Sequence, residues 1–275
     1  MGKIISFSNQ KGGVGKTTTC VNVATYLAAM GKRTLLIDMD PQGNATSGIG
    51  IVKSGDTKTM YNVIEGDAEM HEVIQRSHIV GLDAVPATVD LAGAEIVLVH
   101  ASGRESVIKK ALQSVKNVYD YILIDCPPSL GLLTINVLTA ANSVVIPIQC
   151  EFYALEGLSQ LMNTIKLVKK HLNADLDVEG VVLTMKDMRS NLVQQVSSEI
   201  NKFFGKKVFE VSIPRNIRLA ESPSHGMPIA EYDPSSKGAD AYLKLTEEIL
   251  TRNGDRNFKK ITSKTKIKTT TGGNV

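Results

Sequence analysis

The chain has 275 residues, of which 43% are hydrophobic and 21% charged, so it can bury the core of one large α/β domain or of two small ones. No apolar run reaches the roughly 20 residues that a membrane span needs, and the N-terminus lacks the pattern of a signal peptide, so we expect a cytoplasmic protein. The formal net charge is +3, but residues 252–275 carry +6 and therefore leave −3 for residues 1–251. Because residues 1–251 have a net negative charge, any nucleic-acid-binding surface on them must be a local patch of basic residues.

Short, continuous and often β-branched apolar runs alternate with amphipathic stretches, which predicts buried parallel strands joined by helices. The predicted strands are residues 3–8, 33–38, 82–87, 121–126, 143–148 and 178–184. The predicted helices are residues 16–30, 155–171, 191–203 and 236–250. This alternation is typical of an α/β fold with a doubly wound, mostly parallel sheet, helices on both faces, and ligands at the carboxyl ends of the strands.

The chain divides into one domain, residues 1–252, and a basic C-terminal tail, residues 253–275. The tail is rich in Lys and Thr and poor in large apolar residues, so we predict that it is disordered. Its composition favours a role in keeping the protein soluble, and the alternative is weak binding of polyanions.

Cysteine and histidine usage gives no support for metal or redox sites. No two cysteines form a C-x-x-C pair, and the five histidines lack metal-ligand spacing. We expect buried, reduced thiols at the three cysteine positions, Cys20, Cys126 and Cys150.

A glycine-rich loop, KGGVGKTTT at residues 11–19, follows the first predicted strand and opens the first predicted helix. Glycines let backbone N–H groups converge on phosphate oxygens, and the start of a helix adds partial positive charge. Lys16 is then expected to bridge the β- and γ-phosphates, Thr17 to bind Mg²⁺, and Thr18 to contact the α-phosphate. The ordinary motif has glycine at position 10, where this chain has Gln10 followed by a second lysine, Lys11.

Carboxylates follow two other predicted strands, Asp38 and Asp40 in LLIDMDPQGNAT and Asp125 in YILIDCPPSLG. A strand-end aspartate can hold Mg²⁺ through a water molecule, so Asp38 and Asp125 are candidate metal residues. Because side chains alternate along a strand, Asp38 and Asp40 point to the same side, where one can orient metal-bound water and the other the attacking water. Asp40 followed by Pro41 is also an ordinary opening for a turn.

Taken together, the motifs KGGVGKTTT, DMDPQGNAT, DCPPSLG, PIQCEFYALEGL and IPRNIRLAESPSHGMPI resemble those of the ParA/MinD family of deviant Walker A ATPases. Within that family the chain is most similar to the short, chromosomal ParA type called Soj-like, over about residues 1–250. The resemblance implies a P-loop ATPase that takes ATP and Mg²⁺ and forms an ATP-dependent homodimer.

The resemblance also assigns roles to individual residues. Lys11 reaches across the dimer to the partner's nucleotide, which offsets the charge of two facing Mg·ATP sites. Asp40 orients the hydrolytic water, and residues 40–47 and 125–132 match two switch regions that sense the γ-phosphate. The remaining nucleotide contacts come from the loop backbone and the IPRN turn, namely Gly12, Gly13, Val14, Gly15, Pro214 and Asn216.

The same resemblance implies binding to double-stranded DNA without sequence preference, by cationic side chains on one surface. Arg189 and Arg218 fall at the positions with this role in Soj-like relatives, and Lys186 and Arg215 are possible helpers. Without the resemblance, these residues would be interpreted as ordinary surface charge. The expected partners are a ParB (Spo0J-type) protein and the initiator DnaA, with roles in chromosome or plasmid partition, replication initiation or sporulation at the nucleoid.

Three other functions have weaker support in the sequence. A MinD-like membrane ATPase needs a C-terminal amphipathic helix, and the tail has no apolar stripe at helical spacing, so no membrane partner is expected. An iron–sulfur protein needs further cysteines beside Cys126. A bacterial tyrosine kinase would carry a tyrosine-rich tail, whereas the last tyrosine here is Tyr242.

Overall fold

The computed structural model describes residues 2–151, 154–187 and 189–270. This part of the chain contains a seven-stranded sheet, whose strands are β1 Lys3–Phe7, β2 Thr34–Asp38, β3 Gln75–Arg76, β4 Leu82–Val85, β5 Tyr121–Asp125, β6 Ser143–Gln149 and β7 Asp177–Thr184. Their order in the sheet is β3-β4-β2-β5-β1-β6-β7. All neighbouring strands are parallel except β3, which pairs antiparallel with β4.

Helices cover both faces of this sheet. The first face is covered by α3 Met60–Glu65, α4 Ala94–His100, α5 Val107–Ala111, α6 Leu132–Ala140, α7 Ala154–His171 and α8 Asn191–Phe204. The second face is covered by α1 Lys16–Ala29, α2 Asn44–Gly48, α9 Ile217–Glu221, α10 Ile229–Tyr232 and α11 Lys237–Arg252. The predicted doubly wound α/β fold is thereby confirmed.

Alternating side chains of the central strands feed two hydrophobic cores. Ile4 and Ile122 pack into the first core, and their neighbours Ile5 and Leu123 pack into the second. A strand that is buried on both faces has apolar residues at every position, which is why the pattern was continuous. The six predicted strands occur within one or two residues of their expected ends, whereas the two-residue β3 was too short to leave a pattern.

The strand register brings the carboxyl ends of three strands together. Asp125 pairs with Phe7 on one side and with Asp38 on the other. The loops after β1, β2 and β5 therefore leave the sheet at one edge, where a doubly wound fold binds ligands.

The predicted disorder after residue 252 differs from the structure, in which residues 253–270 pack against the second core. We call these residues the C-terminal strap. Phe258 and Ile261 lie partly buried against that core, and Ile267 is 8% exposed. The prediction failed because composition averages over a segment, whereas three well-placed apolar side chains are enough to fix it. The last five residues of the predicted tail, 271–275, lie outside the described residues.

Candidate active site

The glycine-rich loop runs from β1 into α1. Gly15 caps α1 with φ of 83°, a left-handed conformation in which an L side chain would be strained. The side chain of Lys16 is only 6% exposed, and its Nζ donates to the carbonyl oxygen of Lys11 at 3.1 Å. Burial lowers the pKa of Lys16, while nearby Asp125 acts in the opposite direction. Val14 is buried, and its carbonyl oxygen accepts a hydrogen bond from Thr184 Oγ1 at 2.8 Å.

At the floor of the site, the side chains of Thr17 and Asp125 meet. Thr17 Oγ1 donates to Asp125 Oδ2 at 2.7 Å. The other carboxylate oxygen, Asp125 Oδ1, is buried and has no hydrogen-bond partner within the described part of the chain. Burial, followed by repulsion from Asp38, raises the pKa of Asp125 well above its usual range. An unpartnered buried carboxylate oxygen beside a hydroxyl is a position that a bound cation would satisfy.

Asp38 anchors the segment that follows β2. Its Oδ1 accepts from the backbone N–H of Asp40 at 3.1 Å, and its Oδ2 accepts from the N–H and hydroxyl of Thr46 at 2.8 and 2.7 Å. The Thr46 oxygen in turn accepts from the N–H of Ala87 at 3.0 Å. Burial raises the pKa of Asp38, and the bonds from Thr46 oppose this shift. Sequence reasoning missed Thr46, whose only signal was its place in the GNAT stretch.

Asp40 lies just beyond, in the turn between β2 and α2. It is 8% exposed, and its Oδ1 accepts from the N–H of Gln42 at 3.0 Å. The turn closes through the N–H of Gly43, which donates to the carbonyl of Asp40 at 2.8 Å. Asp40 lines the same cavity as Lys16 and Thr17, so the structure brings the three predicted catalytic and phosphate-binding side chains together.

This cavity has a volume of about 610 Å³ and two chemically different ends. The polar end holds Gly12, Gly13, Gly15, Lys16, Thr17, Thr18 and Asp40. The other end is mainly apolar and is lined by Met185, Ile213, Pro214, Arg215, Asn216, Ile217 and Leu219, so Arg215, one of the predicted DNA-binding residues, also lines this cavity. A nucleotide has the same division, because it carries charged phosphates at one end and a flat, mainly apolar base at the other.

The apolar end includes three lining residues that sequence reasoning missed: Met185, Ile217 and Leu219. Met185 has φ of 49°, which is uncommon for a residue with a side chain and marks local strain at the end of β7. Ile217 remains 76% exposed beside the predicted contact Asn216. Asn216 Oδ1 accepts from the N–H of Arg218 at 2.8 Å and thereby caps α9.

Lys11 does not line the cavity. Its ammonium forms an ion pair with Glu151, which follows β6, and both side chains are partly exposed. Glu151 was missed because it lies 140 positions away from Lys11 along the chain and nothing local links the two.

Three of the four predicted DNA-binding residues lie on the segments that follow β7 (Lys186 and Arg189) and precede α9 (Arg215), and the fourth, Arg218, lies in the first turn of α9. A backbone bridge between Lys186 and Pro214 holds the two segments side by side. Arg189 is 90% exposed and forms a two-point ion pair with Asp187 at 2.8 and 3.0 Å. Arg218 pairs with Glu221 at 3.0 Å and Asp233 at 3.5 Å. Arg215 is exposed beside Asp187, whose pKa it helps to lower, after the stronger effect of Arg189.

A larger cleft, of about 1130 Å³, lies at the opposite, amino ends of the strands. Its walls carry lysines that are already paired with carboxylates, such as Lys3 with Glu179 at 3.1 Å and Lys207 with Asp177 at 2.6 Å. It has no phosphate loop, so the nucleotide chemistry belongs to the smaller cavity. The three cysteines are buried and free, as expected. Within the described residues, no helix combines the length and apolar character required to cross a membrane.

Comparison with known proteins agrees with this geometry. A family model described as an AAA domain matches residues 2–178. The chain is 60% identical over 249 residues to the sporulation initiation inhibitor protein Soj of Bacillus subtilis, which covers 90% of this chain and 98% of that protein. It is 54% identical over 253 residues to the chromosome partitioning protein ParA of Myxococcus xanthus, which covers 92% and 89%, respectively.

Solved structures resemble the whole domain. Cobyrinic acid a,c-diamide synthase from Mycobacterium smegmatis, with ADP and magnesium, has a TM-score of 0.80 at 35% identity and covers 95% of this chain and 100% of its own. MinD from Pyrococcus horikoshii, with Mg-ADP, has a TM-score of 0.75 at 28% identity and covers 92% and 98%. With its phosphate loop, strand-end carboxylates and long similarity to these relatives, the chain belongs to the ParA/MinD family of P-loop ATPases, in its Soj-like chromosome-partitioning branch.

Proposed function

We propose that this protein is a Mg²⁺-dependent ATPase that dimerises on ATP, binds double-stranded DNA without sequence preference, and acts in chromosome or plasmid partition with a ParB-type partner. The observation that carries the proposal is the unpartnered, buried Oδ1 of Asp125. This oxygen has no hydrogen-bond partner within the described residues, and the other oxygen of the same carboxylate accepts from Thr17, which lines the cavity together with Lys16 and Asp40. The names of the relatives supply the biological setting.

The residues of the site fit a magnesium ion. Mg²⁺ is usually held by one or two carboxylates together with nucleotide phosphates, and a bound ion would neutralise phosphate charge. We assign Thr17 and Asp125 to its immediate surroundings. Asp38 already accepts three hydrogen bonds from the segment after β2, so we assign it to hold that segment and to reach the ion through water. Within the described residues, no group of three or more His, Cys, Asp or Glu could hold a metal alone, which agrees with a site completed by substrate.

In the proposed hydrolysis, Asp40 orients the attacking water while Lys16 stabilises the charge that develops on the phosphates. The loop N–H groups, the start of α1 and Thr18 hold the triphosphate in line. Lys11 acts on the nucleotide of the second subunit, so its ion pair with Glu151 must open when the dimer forms. Because each subunit then contributes a cation to the other's site, nucleotide state controls oligomeric state.

DNA binding is proposed for Arg189 and Arg218, with Lys186 and Arg215 as helpers. The dimer presents two such surfaces, and pairing two weak surfaces raises the effective concentration of the second. Both arginines form ion pairs with exposed carboxylates, and solvent screens such pairs strongly, so phosphate can replace the carboxylates. Regulation of replication initiation through DnaA and of sporulation is proposed on the similarity to relatives alone.

The test is DNA binding with ATP, with ADP and without nucleotide. We expect Lys16→Ala to abolish nucleotide-dependent binding, Asp40→Ala to remain bound as an ATP dimer, and Arg189→Glu to dimerise without binding. Arg104→Glu, another exposed arginine paired with a neighbouring carboxylate, is the matched charge-reversal control. Normal hydrolysis by Asp40→Ala would show that another group orients the water. Unchanged dimerisation of Lys11→Ala in light scattering would remove the proposed role of that lysine.

A further inference from the structure

The C-terminal strap begins where α11 ends and is fixed first at the end of α1. Asp255 forms an ion pair with Lys32 at 2.7 Å, and both side chains are mostly buried. The backbone N–H of Lys259 donates to the carbonyl oxygen of Met30 at 3.0 Å. Together with the partly buried Phe258, these contacts hold the first half of the strap against the second core.

A second set of contacts fixes the other half of the strap. Thr269 forms an antiparallel bridge with Ile79, and the N–H of Val80 donates to the carbonyl of Lys268 at 2.9 Å. Between the two attachments, Ile267 turns inward to 8% exposure. A segment attached at two points and by a buried side chain has a defined orientation, so its remaining side chains face solvent in a fixed pattern.

The outward side of the strap is strongly cationic. Lys266 and Lys268 flank the buried Ile267, and alternate residues of an extended segment lie on one side, roughly 6.6 Å apart. Lys264 lies on the preceding turn, which closes with the N–H of Thr265 donating to Thr262. The side chains of these three lysines are exposed and have no carboxylate at ion-pair distance in the described part of the chain. Three exposed and unpaired cations on one short segment form a site for a polyanion.

A series of contacts connects the strap with the neighbourhood of the proposed DNA-binding residue Arg218. The N–H of Thr270, next in the strap, donates to the carbonyl of His78 at 2.8 Å. His78 Nε2 lies 2.8 Å from Glu231 Oε2, two residues before Asp233, the ion-pair partner of Arg218. His78 therefore links the strap to the segment around α10 with which Arg218 interacts.

We propose that Lys264, Lys266 and Lys268 form a second contact surface for the sugar–phosphate backbone of duplex DNA, in addition to Arg218. The inference rests on the proposed function and extends its DNA-binding surface to the strap. Duplex DNA is favoured over a membrane because the apolar side chains of the strap, Phe258, Ile261 and Ile267, pack on the protein and are not available for insertion between lipids. Contacts of this kind carry no sequence information, in agreement with non-specific binding.

The experiment measures the affinity of the ATP-bound, full-length protein for a labelled duplex over a range of salt concentrations. The variant replaces Lys264, Lys266 and Lys268 by Gln, which leaves the anchors of the strap intact. The matched control replaces three exposed lysines of α7 on the opposite face of the sheet, Lys166, Lys169 and Lys170, by Gln. ATP hydrolysis without DNA and ATP-dependent dimerisation should be unchanged in both.

Removing one lysine–phosphate interaction should lower the slope of log affinity against log salt by about 0.9, so the slope of the strap variant should fall by up to about 2.7 for each subunit. Its affinity should fall at least tenfold near 0.1 M salt, estimated from the same slope, with little change in the α7 control. A wild-type slope in the strap variant, or an equal reduction in the control, would overturn the inference while leaving the proposed function intact. Weaker binding to anionic phosphatidylglycerol vesicles with unchanged DNA affinity would overturn it in favour of a lipid surface. If the wild type fails to bind DNA with ATP, the proposed function itself fails.

Discussion

Replacing Asp125 by Asn should stabilise the nucleotide-free protein and weaken its response to Mg·ATP. Asp125 is fully buried at the end of β5, one of its oxygens has no partner within the described residues, and Asp38 is the carboxylate that repels it most strongly. The carbonyl oxygen of an Asn side chain can still accept the hydrogen bond from Thr17. The substitution therefore removes the buried ionisable group and its repulsion with Asp38, and keeps the hydrogen bond that the carboxylate makes with Thr17.

The size of the effect follows from the raised pKa of Asp125, because the Asn side chain still places one unpaired polar atom, its Nδ2, where Oδ1 lies in the wild type. A tenfold change in proton affinity is worth about 1.4 kcal/mol, so we expect the free energy of unfolding at neutral pH to rise by at least about that amount. For a domain of this size, that corresponds to an increase in Tm of roughly 3–6 °C.

The direction of the pH dependence follows from the raised pKa of Asp125. Below the ordinary value of 3.8, both the folded and unfolded states bind the proton and the carboxyl group adds nothing to the pH dependence. As the pH rises above that value, the unfolded state releases the proton while the folded state retains it, so the folded wild type is progressively disfavoured. The stability difference between Asp125→Asn and the wild type should therefore widen from about pH 4 toward neutrality.

The assay is thermal unfolding over this pH range, with and without Mg·ATP. The wild type should gain about 2.7 kcal/mol at a ligand concentration of 100 times Kd, and Asp125→Asn much less. The matched comparison is Asp38→Asn, which should instead be destabilised by about 1–3 kcal/mol because both oxygens of Asp38 accept hydrogen bonds. Lower stability of nucleotide-free Asp125→Asn, or an equal response of both proteins to Mg·ATP, would refute the reasoning.

Three further substitutions test other parts of the structure. Thr46→Val should lower the free energy of unfolding in urea by about 2–3 kcal/mol because it leaves Asp38 and the N–H of Ala87 each without one partner, and Thr46→Ser should restore most of it. Gly15→Ala should lower the stability by about 1–2 kcal/mol and bind ATP more weakly by calorimetry, because φ is 83° at this position. Ile267→Ser should make the strap more susceptible to cleavage by trypsin, because burying an Ile side chain contributes about 1.5–3 kcal/mol to the attachment of the strap. The main unfolding transition should move little, because this packing is local.

Each of these substitutions has a result that contradicts the expectation. Equal stability of the Val and Ser variants at position 46 would mean that its hydroxyl does not anchor Asp38. Wild-type ATP affinity in Gly15→Ala would mean that the loop relaxes without strain. A wild-type rate of trypsin cleavage in Ile267→Ser, with Ile267→Val as the conservative control, would mean that the backbone hydrogen bonds alone hold the strap.

The sequence by itself predicted the doubly wound fold, which the structure confirms, and the residues at the polar end of the candidate active site. Strands buried on both faces must be continuously apolar, and a phosphate loop must combine glycines, lysine and a hydroxyl within a few residues, so both features are visible locally. Lys16, Thr17 and Asp40 line one cavity because they follow adjacent parallel strands or open the helix after one. Their catalytic roles stay predictions until the variants are measured.

Only the tertiary structure decided what depends on distant parts of the chain. Glu151 contacts Lys11 from 140 positions away, and Thr46 fixes Asp38 through a hydroxyl whose direction is set by the turn after β2. The strap was predicted to be disordered because its composition is polar, yet Ile267 finds a surface on the second core that only the folded domain provides. The local sequence shows which side chains need burial, a hydrogen bond or an opposite charge. The residues that supply these contacts are distant in sequence, so only the folded structure identifies them.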